Sequence, residues 1–231
     1  MNALLIAAID TSGKAASCAV CSENAVLAQR SFATQKTHSQ VILPVMKATL
    51  ADAGVTLEDC DGFAVVSGPG SYTGLRIGIA AVKGICMALD KKCAGISALE
   101  SLAYNFSGTD SVICSVMHAR QELVYTAMFE TKAGGTVTRL TPDSIIPLPL
   151  LAEQLREKAD SGMKIICAGD YSSEAVSAAE REGVTKASPQ MNIQQAASLC
   201  FAAAERGFDT PDRLEAEYMQ ITKAEKDLMN R

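Results

Sequence analysis

The sequence contains little histidine, and this scarcity limits the metal and acid–base chemistry that it can support. Only His38 and His118 occur among its 231 residues, and they lie in different halves of the chain. No His-x-x-x-His pair is present, so a zinc hydrolase would lack its usual two ligands. No Gly-x-Ser-x-Gly nucleophile elbow occurs either. The sequence therefore gives little direct evidence for catalysis.

Long hydrophobic runs are also missing. The longest apolar run near the start covers residues 3–9, far short of the ~20 residues that a membrane-spanning helix needs. No Lys or Arg precedes this run, and Asp10 follows it where a signal peptide would carry small residues. We therefore expect a cytoplasmic protein without a membrane span.

The sequence has no excess of basic residues. Such an excess is typical of proteins that bind the phosphate backbone of nucleic acids. The chain has 26 acidic and 21 basic residues and a net charge of −5. Any contact with nucleic acid is therefore expected to be indirect. A hydrophobic fraction of 48% excludes a disordered chain, and the length allows one large domain or two small ones.

The eight cysteines are spread through apolar segments, as small core residues are. Cys18 and Cys21 have a Cys-x-x-Cys spacing, but they lie in a predicted strand, where residues three apart point to opposite faces. No second pair exists to complete a zinc site. We expect buried, reduced thiols, with redox or zinc chemistry as the alternative.

The first half of the chain predicts three strands, a helix, a strand, a helix, a strand and a further helix. In order, these elements cover residues 3–10, 15–22, 26–34, 38–53, 61–67, 73–89, 93–96 and the residues after Ser97. Ser97 and Glu100 match a capping box, in which each side chain binds the backbone N–H of the other residue.

The second half repeats this order. Strands are predicted at 111–117, 123–129, 136–140 and 164–168, helices at 150–159 and 173–182, and a last helix from an Asn192 cap to Gly207. The duplication predicts an α/β fold with two lobes, each a mixed five-stranded sheet with helices, and a cleft between them. The lobes are assigned to residues 1–106 and 110–207, the second one trimmed, and residues 208–231 to an exposed, charged tail.

A glycine-rich loop at residues 67–76 joins a predicted strand to a predicted helix. It is not a P-loop, because no Gly-Lys-Ser/Thr closes it, and it is not a dinucleotide fingerprint, because its third glycine falls one position late. Ser71 or Thr73 is the expected helix cap. One interpretation is a tight turn that needs glycine, and the other is a binding loop for an anion or a partner's backbone. Arg76 favours binding, since a cation in the first helical turn opposes the macrodipole by ~0.3–1 kcal/mol.

A second polar segment, Asp10-Thr11-Ser12, ends the first predicted strand. In a two-lobed fold, an Asp with neighbouring hydroxyls at such a turn would face the cleft and could position a metal-bound phosphate. Asp and Ser are equally ordinary turn formers, so these three residues are only weak candidates for cofactor binding.

Four segments together resemble the TsaB (YeaZ) family: Asp10-Thr11-Ser12, Thr37-His38-Ser39, Gly-Pro-Gly-Ser-Tyr-Thr-Gly-Leu-Arg-Ile-Gly at 68–78, and Gly-Ile-Ser-Ala-Leu-Glu at 95–100. The resemblance covers most of residues 1–106. In the second half, residues 119–125 look like the family's Asp-Ala-Arg…Glu-Val-Tyr stretch, with His118 where Asp is usual.

The resemblance implies the two-lobed actin/Hsp70/sugar-kinase (ribonuclease H-like) fold. It also implies a non-catalytic, cytoplasmic subunit of the bacterial machinery that makes N6-threonylcarbamoyladenosine in tRNA. The expected partners are the catalytic paralogue TsaD (glycoprotease-like, peptidase M22-like) and the ATPase TsaE, with a homodimer in their absence and tRNA contacted only indirectly. The paralogue's two metal-binding histidines match Ala98 and Leu102, with Glu100 retained between them, so no metal or cofactor is expected here.

The resemblance places the partner surface on the helices at residues 38–53 and 73–89. Candidate partner-binding residues are His38, Ser39, Gly68, Gly70, Ser71, Thr73, Gly74, Leu75, Arg76 and Ile79. Two alternatives remain open at this point. One is an ATP-using small-molecule kinase or acyltransferase with Asp10 holding magnesium, and the other is a metalloprotease, which would need tightly bound zinc.

Overall fold

The computed structural model describes residues 3–32 and 37–219, which form two mixed β-sheets with helices packed on them. The elements of the first lobe are β1 (Leu5–Asp10), β2 (Ala16–Ser22), β3 (Ala25–Phe32), α1 (His38–Ala53), β4 (Gly62–Gly68), α2 (Tyr72–Leu89), β5 (Lys92–Ser97) and α3 (Ala98–Tyr104). Those of the second are β6 (Ser111–His118), β7 (Leu123–Thr131), β8 (Val137–Arg139), β9 (Ser144–Pro147), α4 (Leu148–Asp160), β10 (Ile165–Ala168), α5 (Ser172–Ala179), β11 (Val184–Lys186) and α6 (Ala196–Arg206).

The first sheet has the strand order β3-β2-β1-β4-β5, with β1 antiparallel to β2 and parallel to β4. Alternate residues of β1 enter two different cores, which is why this strand is apolar throughout. Helices α1 and α2 cover one face, and α6 covers the other. Cys18 and Cys21 lie in opposite cores, and all eight cysteines are buried free thiols, as predicted.

The second sheet has the order β11-β10-β6-β7-β8, and β9 also pairs with β7. It therefore contains six strands among the described residues, not the five expected. The predicted third strand at 136–140 corresponds to β8, and β9, which follows Pro142, was not predicted. Strand β11 was not predicted, because three residues are too short to carry a periodic pattern.

Two helices join the lobes. Helix α3 packs on β6 and β7 of the second sheet, and α6, at the end of the second half, packs on β1 and β2 of the first. The predicted Asn192 cap is wrong, because its Oδ1 accepts the Gly169 N–H at 2.7 Å and α6 begins later. The first α6 amide, at Ala196, instead donates to Ser17 Oγ of β2 at 2.9 Å. Gly207 ends the helix, as predicted.

The first part of the predicted exposed tail is packed against the first lobe. Asp209 and Cys93 exchange two backbone hydrogen bonds of 2.9 Å, so the segment pairs with the edge strand β5. Leu214 is buried among first-lobe residues. The remainder of the tail at 220–231, and the last two residues of the predicted strand at 26–34, lie outside the described residues.

Candidate functional site

The Asp10-Thr11-Ser12 turn and the glycine loop pack against each other. Thr11 Oγ1 donates a 2.7 Å hydrogen bond to the Gly74 carbonyl, and the Ser71 N–H donates to the Ser12 carbonyl at 2.8 Å. Ser71 Oγ accepts the Gly74 N–H at 3.3 Å, so Ser71 rather than Thr73 caps α2. The two motifs that sequence analysis treated separately therefore form one structural unit.

Three glycines are required by this close approach. A Cβ atom on Gly74 would lie 2.0 Å from the Thr11 carbonyl oxygen, and one on Gly78 would lie 2.5 Å from Thr11 Oγ1. A Cβ on Gly70 would lie 2.8 Å from Ser12. These contacts support the tight-turn interpretation of the loop, in which glycine allows the start of α2 to approach the end of β1.

Asp10 is buried instead of facing an open cleft. Its Oδ1 accepts hydrogen bonds from the Ser12 N–H at 2.9 Å and the Ser12 hydroxyl at 2.7 Å. Its Oδ2 has no hydrogen-bond partner among the described residues. Burial raises the pKa of this carboxyl above its usual value, against the lowering effect of the Ser12 hydrogen bonds. Through Ser12 this carboxyl stabilises the turn, and the role of Asp10, Thr11 and Ser12 in cofactor binding stays a prediction.

His38 ties the start of α1 to the first hairpin. Its Nε2 lies 3.1 Å from the Gly13 carbonyl oxygen, and because a carbonyl can only accept, Nε2 carries the proton in this contact. Ser39 is exposed, with its hydroxyl 3.1 Å from that of Thr37. His38 is thus half-buried in the fold, and Ser39 faces solvent.

The predicted partner-binding residues divide by burial. The exposed ones are Ser39, Ser71, Thr73 and Arg76, and Gly70 is half-buried like His38. Four others are buried in the chain itself: Gly68, Gly74, Leu75 and Ile79. Their own chain covers these four residues, and their contact with a partner stays a prediction. Leu75 and Ile79 belong to the α2 face that packs on the sheet, and Gly68 and Gly74 lie under neighbouring backbone.

An exposed apolar surface lies on α1 and α2, the two helices on which the resemblance implies a partner surface, and it provides the stronger candidate. Leu43 on α1 is 51% exposed and Met87 on α2 is 66% exposed. Between the helices lies a groove of about 370 Å³ lined by Leu43, Leu57, Ala80, Ala81, Gly84, Ile85, Ala88 and Leu89. Helix α2 is long and apolar enough to span a membrane by length and composition alone, yet only 33% of it is buried. Much of its apolar surface is therefore open.

One ridge of α2 runs along this surface. Its residues are spaced by four and all are exposed: Tyr72, Arg76, Ala80, Gly84 and Ala88. We call this set the α2 ridge. This ridge could have been recognised from the sequence, because small residues recur at every fourth position on the side of the helix opposite the apolar stripe from Leu75 to Cys86.

Gly84 is not packed against any other part of the described chain. A Cβ added there would meet no atom of another described element within 4 Å. Glycine inside a helix costs about 0.8–1 kcal/mol relative to alanine, and its presence on an exposed ridge favours a contact made outside the chain. Small residues on an exposed ridge allow a second helix backbone to approach closely.

Glu100 forms an ion-pair cluster at the junction of the lobes. Its Oε2 lies 2.7 Å from Arg139 Nη2 and 2.9 Å from Arg206 Nη2. Ser97 Oγ accepts hydrogen bonds from the N–H groups of Leu99 and Glu100, as the predicted capping box requires. The return bond from the Ser97 N–H to the Glu100 side chain is not formed, because the Glu100 carboxylate faces the two arginines. The positions matched to metal-binding histidines, Ala98 and Leu102, are fully buried in the core.

Comparisons with known proteins agree on one family. The family model described as TsaD, tRNA N6-adenosine threonylcarbamoyltransferase, matches residues 26–225. A tRNA threonylcarbamoyladenosine biosynthesis protein TsaB from Bacillus subtilis (strain 168) is 34% identical over 155 residues, which are 67% of each chain. A tRNA N6-adenosine threonylcarbamoyltransferase from Novosphingobium aromaticivorans is 31% identical over 158 residues, covering 67% of this chain and 42% of the transferase.

The solved structure of YeaZ from Pseudomonas aeruginosa has the same fold. It superposes with a TM-score of 0.77 at 24% identity, covering 94% of this chain and 100% of that one. The predicted α/β architecture with two mixed sheets is thereby confirmed, apart from the strand count of the second sheet. With its sequence similarity to both TsaB and TsaD proteins, the chain belongs to the TsaB (YeaZ) family.

Proposed function

We propose that this chain takes part in the synthesis of N6-threonylcarbamoyladenosine in tRNA as a non-catalytic subunit that docks onto a TsaD-type catalytic subunit. A TsaE-like ATPase is the third member of the proposed complex, which acts in the cytoplasm and holds the tRNA through its other members. The surface of α1 and α2 is the proposed docking site, and it supports a homodimer when the partner is absent.

The exposed α2 ridge is the observation that carries the proposal. An apolar helix that leaves Met87 66% exposed gains hydrophobic stabilisation when a partner covers it. The groove beside Leu43 offers a place for side chains of a facing helix. Gly84 and its small neighbours fit close helix–helix contact, and a Cβ on Gly84 would meet no other described element within 4 Å.

Two further features favour a non-catalytic role. The Asp10 carboxylate, which a kinase would use to hold magnesium, is buried and accepts two hydrogen bonds from Ser12. The Glu100 carboxylate, which lies between the two positions matched to metal ligands, is bound by Arg139 and Arg206. Both carboxylates are therefore already engaged by donors of the chain itself.

The docking proposal is tested with this chain and the TsaD-type subunit of the same organism. Complex formation is measured by light scattering after gel filtration, and tRNA modification is measured with the threonylcarbamoyl donor supplied. We expect modification only when both proteins are present. Gly84→Arg should weaken the complex by roughly tenfold or more, because it places a long side chain on the ridge. Equal modification by the TsaD-type subunit alone would contradict the proposal.

Ser177→Arg is the matched control. Ser177 is an exposed small residue of α5 in the second lobe, so the same substitution changes charge and size without touching α2. We expect it to leave binding and modification unchanged. The kinase alternative is tested by calorimetry with ATP and the isolated chain. Heat of binding that is lost in Asp10→Ala would favour that alternative over docking.

A further inference from the structure

A cavity of about 370 Å³ lies in the second lobe, between the second sheet and α4. It is found where the edge of β7 changes its pairing partner, because β8 and β9 both pair with β7, one on each side of Met128. The Met128 N–H donates instead to Thr141 Oγ1 at 2.8 Å, and its carbonyl accepts the Leu140 N–H at 2.8 Å. The segment between β8 and β9 forms one wall of the cavity through Thr141 and Pro142.

The lining of this cavity combines an apolar part with hydrogen-bonding side chains. The apolar part consists of Met128, Pro142 and Ile146, and the polar part consists of Thr126, Thr141, Ser144, Gln154 and Lys158. Gln154 and Lys158 are four residues apart on α4, so they lie on the same face of the helix, and both are half-buried. We call this space the α4 cavity.

Lys158 is the only charged residue of this lining in the part of the chain that the structure describes. Its ammonium group forms neither an ion pair nor a hydrogen bond with any described residue. The nearby carboxylates are engaged elsewhere, since Asp160 pairs with Arg181 and Asp143 pairs with Arg139. The other two carboxylates of α4 are exposed and do not line the cavity. A cation in the last turn of α4 interacts favourably with the helix dipole, which accounts for its charge but not for the cavity beside it.

The unused hydrogen-bonding groups of the α4 cavity are mainly donors. Lys158 carries an ammonium group and Gln154 a side-chain amide NH₂, and neither side chain has a hydrogen-bond partner within the described chain. Thr141 Oγ1 accepts the Met128 N–H, while its own O–H has no acceptor among the described residues. A cation beside unused neutral donors is an arrangement that binds an anion.

We propose that the α4 cavity is a binding site for a small aliphatic carboxylate. Its carboxylate group accepts hydrogen bonds from Lys158, Gln154 and Thr141, and its carbon chain lies against Met128 and Ile146. One cation balances one negative charge, which favours a carboxylate over a doubly charged phosphate. The volume corresponds to about a dozen water molecules, so a ligand of roughly that many non-hydrogen atoms or fewer fits. The site lies away from α1 and α2, and this inference is independent of the docking function.

The test titrates the full chain with pentanoate and records the methyl signals by two-dimensional ¹H–¹³C NMR. The methyl signals of Met128 and Ile146 should shift and reach saturation, because the carbon chain of pentanoate lies against them. Pentanamide, which has the same chain without the charge, should bind roughly tenfold more weakly or less, since a hydrogen bond to a charged group is stronger than a neutral one. Inorganic phosphate should also bind more weakly than pentanoate.

Substitutions of Lys158 test the role of its charge. Lys158→Met removes the cation from a side chain of similar length and should weaken pentanoate binding roughly tenfold or more. Lys158→Arg keeps the charge and should bind within about threefold of the wild type. Lys164→Met is the matched control, because Lys164 is an exposed lysine of the second lobe outside the lining, and it should bind like the wild type.

Each outcome supports or overturns the assignment. A Met128 signal that does not shift to saturation with pentanoate would overturn the site. Equal affinity for pentanamide, or unchanged affinity in Lys158→Met, would overturn the carboxylate as the ligand class, and tighter binding of phosphate would replace it. The pentanamide and phosphate comparisons use the wild-type chain, so they decide the proposal even if Lys158→Met does not fold. Docking of the TsaD-type subunit is tested on α2 and stands or falls separately.

Discussion

The hydroxyl of Thr11 donates to the carbonyl of Gly74, and a methyl group on Gly74 would lie 2.0 Å from the carbonyl oxygen of Thr11. These contacts fix the start of α2 against the end of β1. The position of the proposed docking helix is therefore set by two short motifs that are 63 residues apart in the sequence.

Gly74→Ala should destabilise the fold by about 1–3 kcal/mol, because the backbone of Thr11 must move to admit the new methyl group. Gly84→Ala is the matched control on the same helix. It should stabilise the isolated chain by up to about 1 kcal/mol, since its Cβ meets nothing and alanine favours helix. Urea unfolding measures both free energies. The same sign for the two substitutions would contradict this account.

The sequence predicted the first lobe well because its signals are local. The bounds of α1 at 38–53 agree with the structure, and the apolar run that became β1 is covered on both faces as expected. Ser71 caps α2 through an ordinary side-chain bond to Gly74. In each case the information lies within a few residues of the feature that it determines.

The errors share a different physical origin, since they depend on residues that are distant in the chain. Asn192 matched a cap, but the donors at the start of α6 are taken by Ser17 and Gln29 of the first sheet. The Glu100 carboxylate binds Arg139 and Arg206 instead of the backbone N–H that the capping box requires. The place of the C-terminal segment, whose Glu217 carbonyl lies over Gly68, carries no local pattern at all.

Glu100→Gln should destabilise the fold by about 1–3 kcal/mol, because the neutral amide leaves two guanidinium groups without their shared carboxylate. This expected loss of stability is smaller than the loss caused by breaking a fully buried ion pair, because the Arg206 side chain is 47% exposed. Glu153→Gln, on the exposed face of α4, is the control and should change stability little. Denaturant midpoints measure the effect. Equal midpoints for both variants would show that the cluster contributes nothing.

Asp10→Asn should remove a pH-dependent part of the stability. Burial raises the Asp10 pKa above its ordinary value of 3.8, so the unfolded chain releases this proton first as the pH rises. The stabilisation is fully present below the unfolded-state value and is lost as the pH rises through the folded-state value. The variant, neutral throughout, should therefore gain stability relative to the wild type as the pH increases.

Unfolding midpoints of the wild type and Asp10→Asn, compared from about pH 4 to pH 8, measure this difference. Asp209→Asn provides a control of opposite sign, because the Thr210 N–H and Arg213 lower the Asp209 pKa. The Asp209→Asn substitution should lower the free energy of unfolding at neutral pH, and this reduction should become smaller as the pH falls. Parallel curves for the wild type and Asp10→Asn would contradict the assignment.

The native thiols should be nearly inert towards a disulfide reagent such as DTNB. All eight cysteines are buried, and burial raises the pKa of Cys18 to about 12 and that of Cys60 to about 11. DTNB reacts with an exposed thiolate, so each cysteine should be labelled only when the chain unfolds. Absorbance at pH 8 should show little release from the folded chain and eight equivalents in denaturant. Rapid release of a full equivalent from the folded protein would contradict this burial.

Met87→Cys extends the same measurement to the docking surface. Met87 is 66% exposed, so a thiol at this position should react readily against the silent background of the buried cysteines. If the TsaD-type subunit covers α2, its addition should slow the labelling of this thiol. Ser177→Cys, in the second lobe, should react at the same rate with or without the partner. Equal protection of both thiols would mean that the partner covers the chain broadly, and protection of Ser177→Cys alone would move the interface away from α2.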